Sequence, residues 1–93
     1  MTRSTHSRPY RALVDILAEA RRRSGLTQKQ VADRLGKPQS YIAKVEAAER
    51  RVDPVEFAQL ANALGADPLG LFQDLLKSAE VSEILKDHRT SEP

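Results

Sequence analysis

Apolar residues recur at three- and four-residue intervals through most of the chain, which is the spacing of one face of an α-helix. The first helix is predicted to begin near Pro9 and to end before Gly25, a residue type that commonly stops helices. Its apolar stripe consists of Leu13, Ile16, Leu17 and Ala20.

Two short helices are predicted next, joined by a turn that contains glycine and proline. Thr27 and Gln30 have the spacing of a capping box, so helix 2 is expected at about 27–35. Pro38 is tolerated at the start of a helix but not inside one, so helix 3 is expected at about 38–47. Neither helix is long enough to be stable alone.

Three more helices follow in the second half of the chain. The segment Asp53-Pro54-Val55-Glu56 supplies an N-cap, a first-turn proline and a capping glutamate, and it predicts the start of helix 4. Asp67-Pro68 opens helix 5 in the same way, and a sixth helix is expected at 79–88. No segment alternates with the period of a strand, so the predicted fold class is all-α. The stripe of helix 5 expected to pack in the core is Leu69, Phe72, Leu75 and Leu76.

The composition limits the classes of protein to which the chain can belong. With 93 residues, 40% of them hydrophobic and 30% charged, it suits one small domain. The absence of cysteine excludes disulfides, zinc–thiolate sites and thiol nucleophiles, and it favours the reducing cytoplasm. No apolar run reaches the roughly 20 residues of a membrane span. His6 and His88 have no partner at metal-ligand spacing and there is no phosphate-binding glycine loop, so we expect no metal, no cofactor and no enzymatic activity.

The formal net charge of +2 conceals a division along the chain. Residues 1–51 carry twelve Lys or Arg against five Asp or Glu, whereas residues 52–93 carry three against eight. The N-terminal half is therefore the part expected to face a polyanion.

A pair of short helices across a tight turn is typical of a helix-turn-helix, whose second helix directs its N-terminal side chains into the major groove of DNA. The stretch from Leu13 to Phe72 resembles the five-helix DNA-binding domain of the phage lambda and 434 repressors and Cro proteins, the XRE family. The resemblance rests on the run Leu26 to Gly36, the Gln39-Ser40 pair, Glu46 and the ending from Leu60 to Gly65, all in the family's order and spacing. It implies a compact five-helix domain, to which this chain adds a C-terminal helix.

The resemblance implies that Gln39, Ser40 and Lys44 contact DNA bases. Gln39 leads the recognition helix, and glutamine can pair bidentately with adenine. Ser40 can donate or accept a hydrogen bond, and Lys44 can reach guanine or a phosphate.

A second set of residues is implied to contact the DNA backbone. Gln28 occupies the family's phosphate-contacting glutamine position at the first turn of helix 2, where backbone N–H groups also face an anion. Tyr41 either touches the backbone or covers the rim of the core. The remaining members are Arg50 and Arg51 in the loop after helix 3, and Arg11, to which Arg3 and Arg8 can be added as an arm.

Two further matched positions are architectural. Arg21 and Glu46 coincide with an arginine and a glutamate that pair beneath the recognition helix in several family members, so we expect an ion pair that holds helices 1 and 3 in register. The chain departs from the family pattern at two places. Ala48 replaces a frequent glycine, which leaves the end of helix 3 open, and Pro38 replaces a capping Ser or Thr, which weakens the N-cap.

The predicted organisation is a flexible basic arm over 1–8, a helix-turn-helix domain over 9–76, a C-terminal helix over 79–88 and a flexible tail over 89–93. The C-terminal helix either closes the core or forms a dimer seam. The expected function is that of a transcriptional regulator that binds a pseudo-palindromic operator in double-stranded DNA as a homodimer, without a small-molecule effector or a membrane. The alternatives are an antitoxin that also binds its own promoter, and a restriction-modification controller protein.

Overall fold

The structure is a computed structural model that describes residues 7–90, with the side chains of residues 7–86. Within that range the chain forms six helices and no strand, which confirms the all-α prediction. Residues 1–6 of the predicted arm, with Arg3 and His6, lie outside the described residues, as do residues 91–93 of the predicted tail and the side chain of His88. The helices are α1 (Arg8–Arg23), α2 (Gln28–Leu35), α3 (Gln39–Glu46), α4 (Pro54–Ala63), α5 (Pro68–Lys77) and α6 (Ala79–Thr90).

Capping explains where two of the central helices begin. Thr27 accepts a hydrogen bond from the Gln30 N–H at 3.0 Å and the Gln30 side chain accepts from the Thr27 N–H at 2.8 Å, so α2 has the predicted capping box. Asp53 and Glu56 form the same arrangement at α4. By contrast, Pro38 is the N-cap of α3 and makes no side-chain hydrogen bond. The weak cap is present as predicted, and α3 therefore depends on its packing.

The two outer helices are longer than the sequence predicted. α1 begins at Arg8, since the Ser7 side chain accepts a hydrogen bond from the Tyr10 N–H at 3.2 Å and acts as N-cap. α6 continues to Thr90, so the first two residues of the predicted tail are helical.

The main core lies between the first four helices. α2 packs against α3 and α4, while α1 packs against α3, α5 and α6. The core residues come from every one of α1 to α4 and from the loop after α3, and the most deeply buried include Leu17, Val31, Ile42, Val45 and Leu60. This arrangement fixes α3 on one side and leaves its other side open to solvent.

The expectation for α5 is wrong in part. Leu69, Phe72 and Leu76 are 73%, 47% and 41% exposed, and α5 has no fully buried residue. Leu71 packs against the core instead, and Leu75 is half-buried. The helix carries more apolar residues than one face can hold. The spacing of these residues predicts an apolar stripe, but it does not indicate which face of the helix packs against the rest of the protein.

Ala48 resolves the question about the end of α3. It has φ +60°, the left-handed conformation that glycine usually supplies, and it is completely buried. Its neighbours in a small second core are Tyr10 and Val14. Alanine thus bends the chain as the glycine would, and its methyl group adds a contact with α1.

Candidate nucleic-acid interface

The turn between α2 and α3 is tight and fully hydrogen-bonded. Gly36 has φ +67°, which glycine adopts without a steric penalty. The N–H groups of Gly36 and Lys37 donate to the Asp33 and Ala32 carbonyls at 3.1 and 2.9 Å, which ends α2 in a closed C-cap. Pro38 then leads directly into α3. The two helices therefore have the connection and the order of a helix-turn-helix.

α3 has one buried and one exposed side. Ile42 and Val45 are each 2% exposed and anchor the helix in the core. Gln39, Ser40 and Lys44 are all exposed; the first two begin the helix, and Lys44 lies in its last turn. The three residues predicted to contact bases are thus available to a ligand on the solvent side, and the base contacts themselves stay a prediction.

The structure brings Arg21 and Glu46 together behind α3. The Arg21 Nε and Nη2 atoms donate to the two Glu46 carboxylate oxygens at 2.6 and 3.1 Å, and Nη1 donates to the Leu26 carbonyl at 2.8 Å. The side chains are 15% and 13% exposed, so the pair is largely protected from solvent. The hydrogen bond to Glu46, opposed by burial and assisted by the Glu46 charge, raises the pKa of Arg21. The fork geometry joins α1 to the end of α3.

Gln28 belongs to the same network. Its Nε2 atom donates to Glu46 Oε1 at 2.9 Å, and the side chain is half-buried. The amide donor is therefore engaged with Glu46, and a phosphate contact through this atom requires it to change partner. The contact between Gln28 and phosphate stays a prediction, while the observed bond ties the first turn of α2 to α3.

Both arginines of the loop after α3 lie over tyrosine rings. The Arg50 guanidinium carbon is 4.8 Å from the centroid of the Tyr41 ring, and that of Arg51 is 5.4 Å from the Tyr10 ring. Arg50 also donates to Glu56 at 2.8 Å and to the Arg51 carbonyl at 2.9 Å. The loop is therefore held in place by contacts with α1, α3 and α4.

Tyr41 is mostly a core residue. It is 9% exposed and packs in the main cluster, so the structure favours the alternative in which it covers the rim of the core. Burial is the largest of the effects that raise the pKa of the Tyr41 hydroxyl above its ordinary value of 10.0, so the group stays neutral near pH 7. Because so little of the side chain is exposed, a direct phosphate contact by Tyr41 is poorly supported.

The remaining basic residues differ in their surroundings. Arg11 is exposed on α1, and its side chain takes part in none of the side-chain hydrogen bonds or salt bridges within the described part of the chain. Lys29 pairs with Asp33 at 3.3 Å on the surface of α2. Sequence reasoning missed Lys37, which lies 5.2 Å over the Tyr41 ring. Its place in the turn immediately before the recognition helix was the available signal.

Comparisons with known proteins agree with this geometry. Residues 12–71 match the model of a family described as a helix-turn-helix domain. A solved XRE-family-like protein from Pseudomonas syringae pv. tomato str. DC3000 is 49% identical, with a TM-score of 0.70 over 72% of this chain and 82% of that one. No curated protein matches significantly.

Two restriction-modification controller proteins are also similar in structure. C.AhdI from Aeromonas hydrophila is 36% identical, with a TM-score of 0.58 over 63% of this chain and 86% of that one. A mutant of C.Esp1396I is 20% identical, with a TM-score of 0.67 over 71% of this chain and 88% of that one, and it supports the fold alone. Among the described helices none is long and apolar enough to cross a membrane. The chain belongs to the XRE family of helix-turn-helix DNA-binding regulators.

Proposed function

We propose that this XRE-family protein is a sequence-specific transcriptional regulator that binds a pseudo-palindromic operator as a homodimer in the cytoplasm, without an enzymatic activity or an effector. The observation that carries the proposal is the exposed start of α3, where Gln39 and Ser40 project from a helix anchored by Ile42 and Val45. A recognition helix needs this combination of a rigid inner face and free polar groups at its N-terminal end.

The small reach of one helix and the surface of α5 support the proposed dimer. One recognition helix reads only a few base pairs, and two copies can present helices one DNA turn apart, about 34 Å. Leu69, Phe72 and Leu76 form an exposed apolar stripe, and Phe72 borders a groove of about 350 Å³ that Phe57 and Leu75 help to line. A stripe of this kind favours a self-complementary contact between two copies across a two-fold axis. α6 exposes Ile84 and Leu85 and is the second candidate element.

The proposal is tested by selecting bound sequences from a random DNA pool with the full chain and then sizing the complex. We expect an inverted repeat whose half-sites are protected together and a complex that contains two protein chains. Recovery of a single isolated half-site, or the absence of any sequence preference, would contradict the proposal.

Two substitutions separate base reading from backbone binding. Gln39→Ala is expected to lose discrimination at about one base pair, worth about 1–3 kcal/mol. Arg50→Ala is expected to weaken binding to all sequences alike and to flatten the dependence of log K on log salt by roughly one unit. Salt-titrated binding to the selected operator and to single-base variants measures both effects. Identical behaviour of the two variants would contradict the assignment.

A restriction-modification controller is the second candidate, because a structural neighbour that is 36% identical is such a controller. It predicts the same DNA chemistry, and the gene would adjoin restriction and methyltransferase genes. The antitoxin alternative predicts instead that a toxin-like partner copurifies with the protein. Coexpressing the protein with the products of its neighbouring genes and then purifying it distinguishes the controller from the antitoxin.

A further inference from the structure

The structure gathers two cations around the ring of Tyr41. Lys37, from the turn before α3, has its Nζ 5.2 Å from the ring centroid, and the Arg50 guanidinium, from the loop after α3, is 4.8 Å from it. The two segments lie on either side of α3, and Tyr41 is the residue that both contact. Because cations are attracted to the π-face of an aromatic ring, Tyr41 helps to hold both charges in place.

The two cations of this cluster differ in whether a carboxylate pairs with them. Arg50 pairs with the Glu56 carboxylate at 2.8 Å, and that glutamate also caps α4. Lys37 takes part in none of the salt bridges within the described part of the chain. Its ammonium group keeps its donors available on an exposed side chain. Asp53 is a second carboxylate close enough to act on the Tyr41 hydroxyl. Among the described residues neither Asp53 nor Glu56 pairs with Lys37, so Lys37 is the cation of this cluster that is available to an anion.

The cluster lies beside the predicted base-reading side chains. Tyr41 follows directly after the exposed Gln39 and Ser40, and Lys37 precedes them by two residues. When side chains at the start of a recognition helix reach base edges, the phosphates that border the groove come close to the residues just before the helix. A phosphodiester is therefore the anion that the unpaired Lys37 ammonium would meet there.

We propose that Lys37, with Arg50 beside it on the Tyr41 ring, binds a backbone phosphate of the DNA duplex, and that Tyr41 is the positioning residue of this clamp. The inference rests on the proposed DNA binding and adds a contact that the family resemblance did not assign. Because a phosphate contact carries no base information, it supplies affinity and orientation without changing which sequence is preferred.

The test compares full-length Lys37→Ala with the native chain on the selected operator, over a range of potassium chloride concentrations. Loss of one phosphate contact is expected to flatten the log–log salt slope by about 0.9, which corresponds to about eightfold weaker binding at 0.1 M salt. The affinity ratio between the operator and a scrambled duplex is expected to stay unchanged. Lys86→Ala, which removes an exposed lysine from α6, is the matched control for loss of net charge.

Substitutions of Tyr41 test its positioning role. Tyr41→Phe keeps the ring and is expected to bind as the native chain does. Tyr41→Leu removes the π-face that holds both cations and is expected to flatten the slope at least as much as Lys37→Ala does. The double variant is expected to be no flatter than Tyr41→Leu alone. Circular dichroism checks that the variants are folded. If Tyr41→Leu does not fold, the comparison of Lys37→Ala with Lys86→Ala still decides whether Lys37 binds a phosphate.

The outcomes separate the clamp from the general function. If the native chain prefers an operator and Lys37→Ala keeps its slope and affinity, or changes no more than Lys86→Ala does, the clamp is overturned and the proposed function stands. If the native chain shows no sequence preference, the proposed function itself is overturned.

Discussion

The Tyr10 hydroxyl joins α1 to the loop that carries the two arginines. It accepts a hydrogen bond from the buried Val52 N–H at 2.9 Å and donates to the Arg50 carbonyl at 3.4 Å. These bonds lie on either side of Arg51, whose guanidinium covers the Tyr10 ring. One hydroxyl group therefore sets the path of the loop in which phosphate contacts are predicted.

Tyr10→Phe is expected to lower the free energy of unfolding by about 1–3 kcal/mol, because the buried Val52 N–H loses its acceptor. The loop arginines then lose their fixed positions, so binding to all DNA sequences is expected to weaken together. Urea denaturation and binding to operator and scrambled duplexes measure the two effects. Tyr41→Phe is the matched control, since the Tyr41 hydroxyl makes no hydrogen bond within the residues described here. Equal stability of the two variants would contradict this role for Tyr10.

At the scale of single residues, the sequence predicted which side chains are exposed on α3 but not how the neighbouring ones are held. Gln39, Ser40 and Lys44 follow from the position of the turn and from the family resemblance. Lys37 is only four residues before Tyr41, but it lies in the turn outside the helix, so helical spacing does not predict their contact. The contact of Arg50 with Tyr41 depends on how the loop after α3 folds back, which no local pattern indicates. Gln28 shows the same limit, since its bond to Glu46 depends on the packing of α2 against α3.

The start of α4 shows how one helix end also serves the site. Asp53 Oδ1 accepts a hydrogen bond from the Glu56 N–H at 2.7 Å, and Glu56 Oε1 accepts from the Asp53 N–H at 3.0 Å. The second carboxylate oxygen of Glu56 pairs with Arg50. The capping box therefore orients the glutamate that pairs with the loop arginine. A local interaction at the start of α4 thus helps to position Arg50 at the predicted DNA surface.

Asp53→Ala is expected to destabilise the protein by about 1 kcal/mol, because the first turn of α4 loses its cap. Gln59→Ala, at an exposed position of the same helix, is the control and is expected to change the free energy of unfolding by less than about 0.5 kcal/mol. Chemical denaturation of both variants gives the difference. A loss at Gln59→Ala as large as that at Asp53→Ala would show that the cap contributes nothing specific.

The sequence predicted some features of the helices better than others. The starts of α2 and α4 were predictable because capping is a local interaction between residues three apart. The orientation of α5 was not, since Leu69, Leu71, Phe72, Leu75 and Leu76 cover more than one face of the helix. Which of these faces the core depends on how α5 crosses α1 and α4, and that is a property of the assembled fold.

At the scale of the whole molecule, the charge division and the apolar stripe belong to different parts of the chain. The basic excess lies in residues 1–51, which include α1, the helix-turn-helix and the loop arginines. The acidic excess lies in residues 52–93, which include α5 and its exposed stripe. Like charge near a DNA duplex is unfavourable, so the acidic half beyond Asp53 and Glu56 is expected to lie away from the phosphates, where it is available to a second copy.

Phe72→Asp tests whether the α5 stripe joins two copies. The side chain is 47% exposed, so the substitution is expected to leave the helical content unchanged. Placing a carboxylate within an apolar contact leaves a charge desolvated, so a monomer is expected at concentrations where the native chain is a dimer. Analytical ultracentrifugation measures the mass, and footprinting is expected to show loss of joint half-site protection. Gln73→Asp adds the same charge at the neighbouring exposed position of α5 and is expected to remain dimeric. A dimeric Phe72→Asp variant would exclude the α5 stripe and leave Ile84 and Leu85 on α6 as the candidate seam.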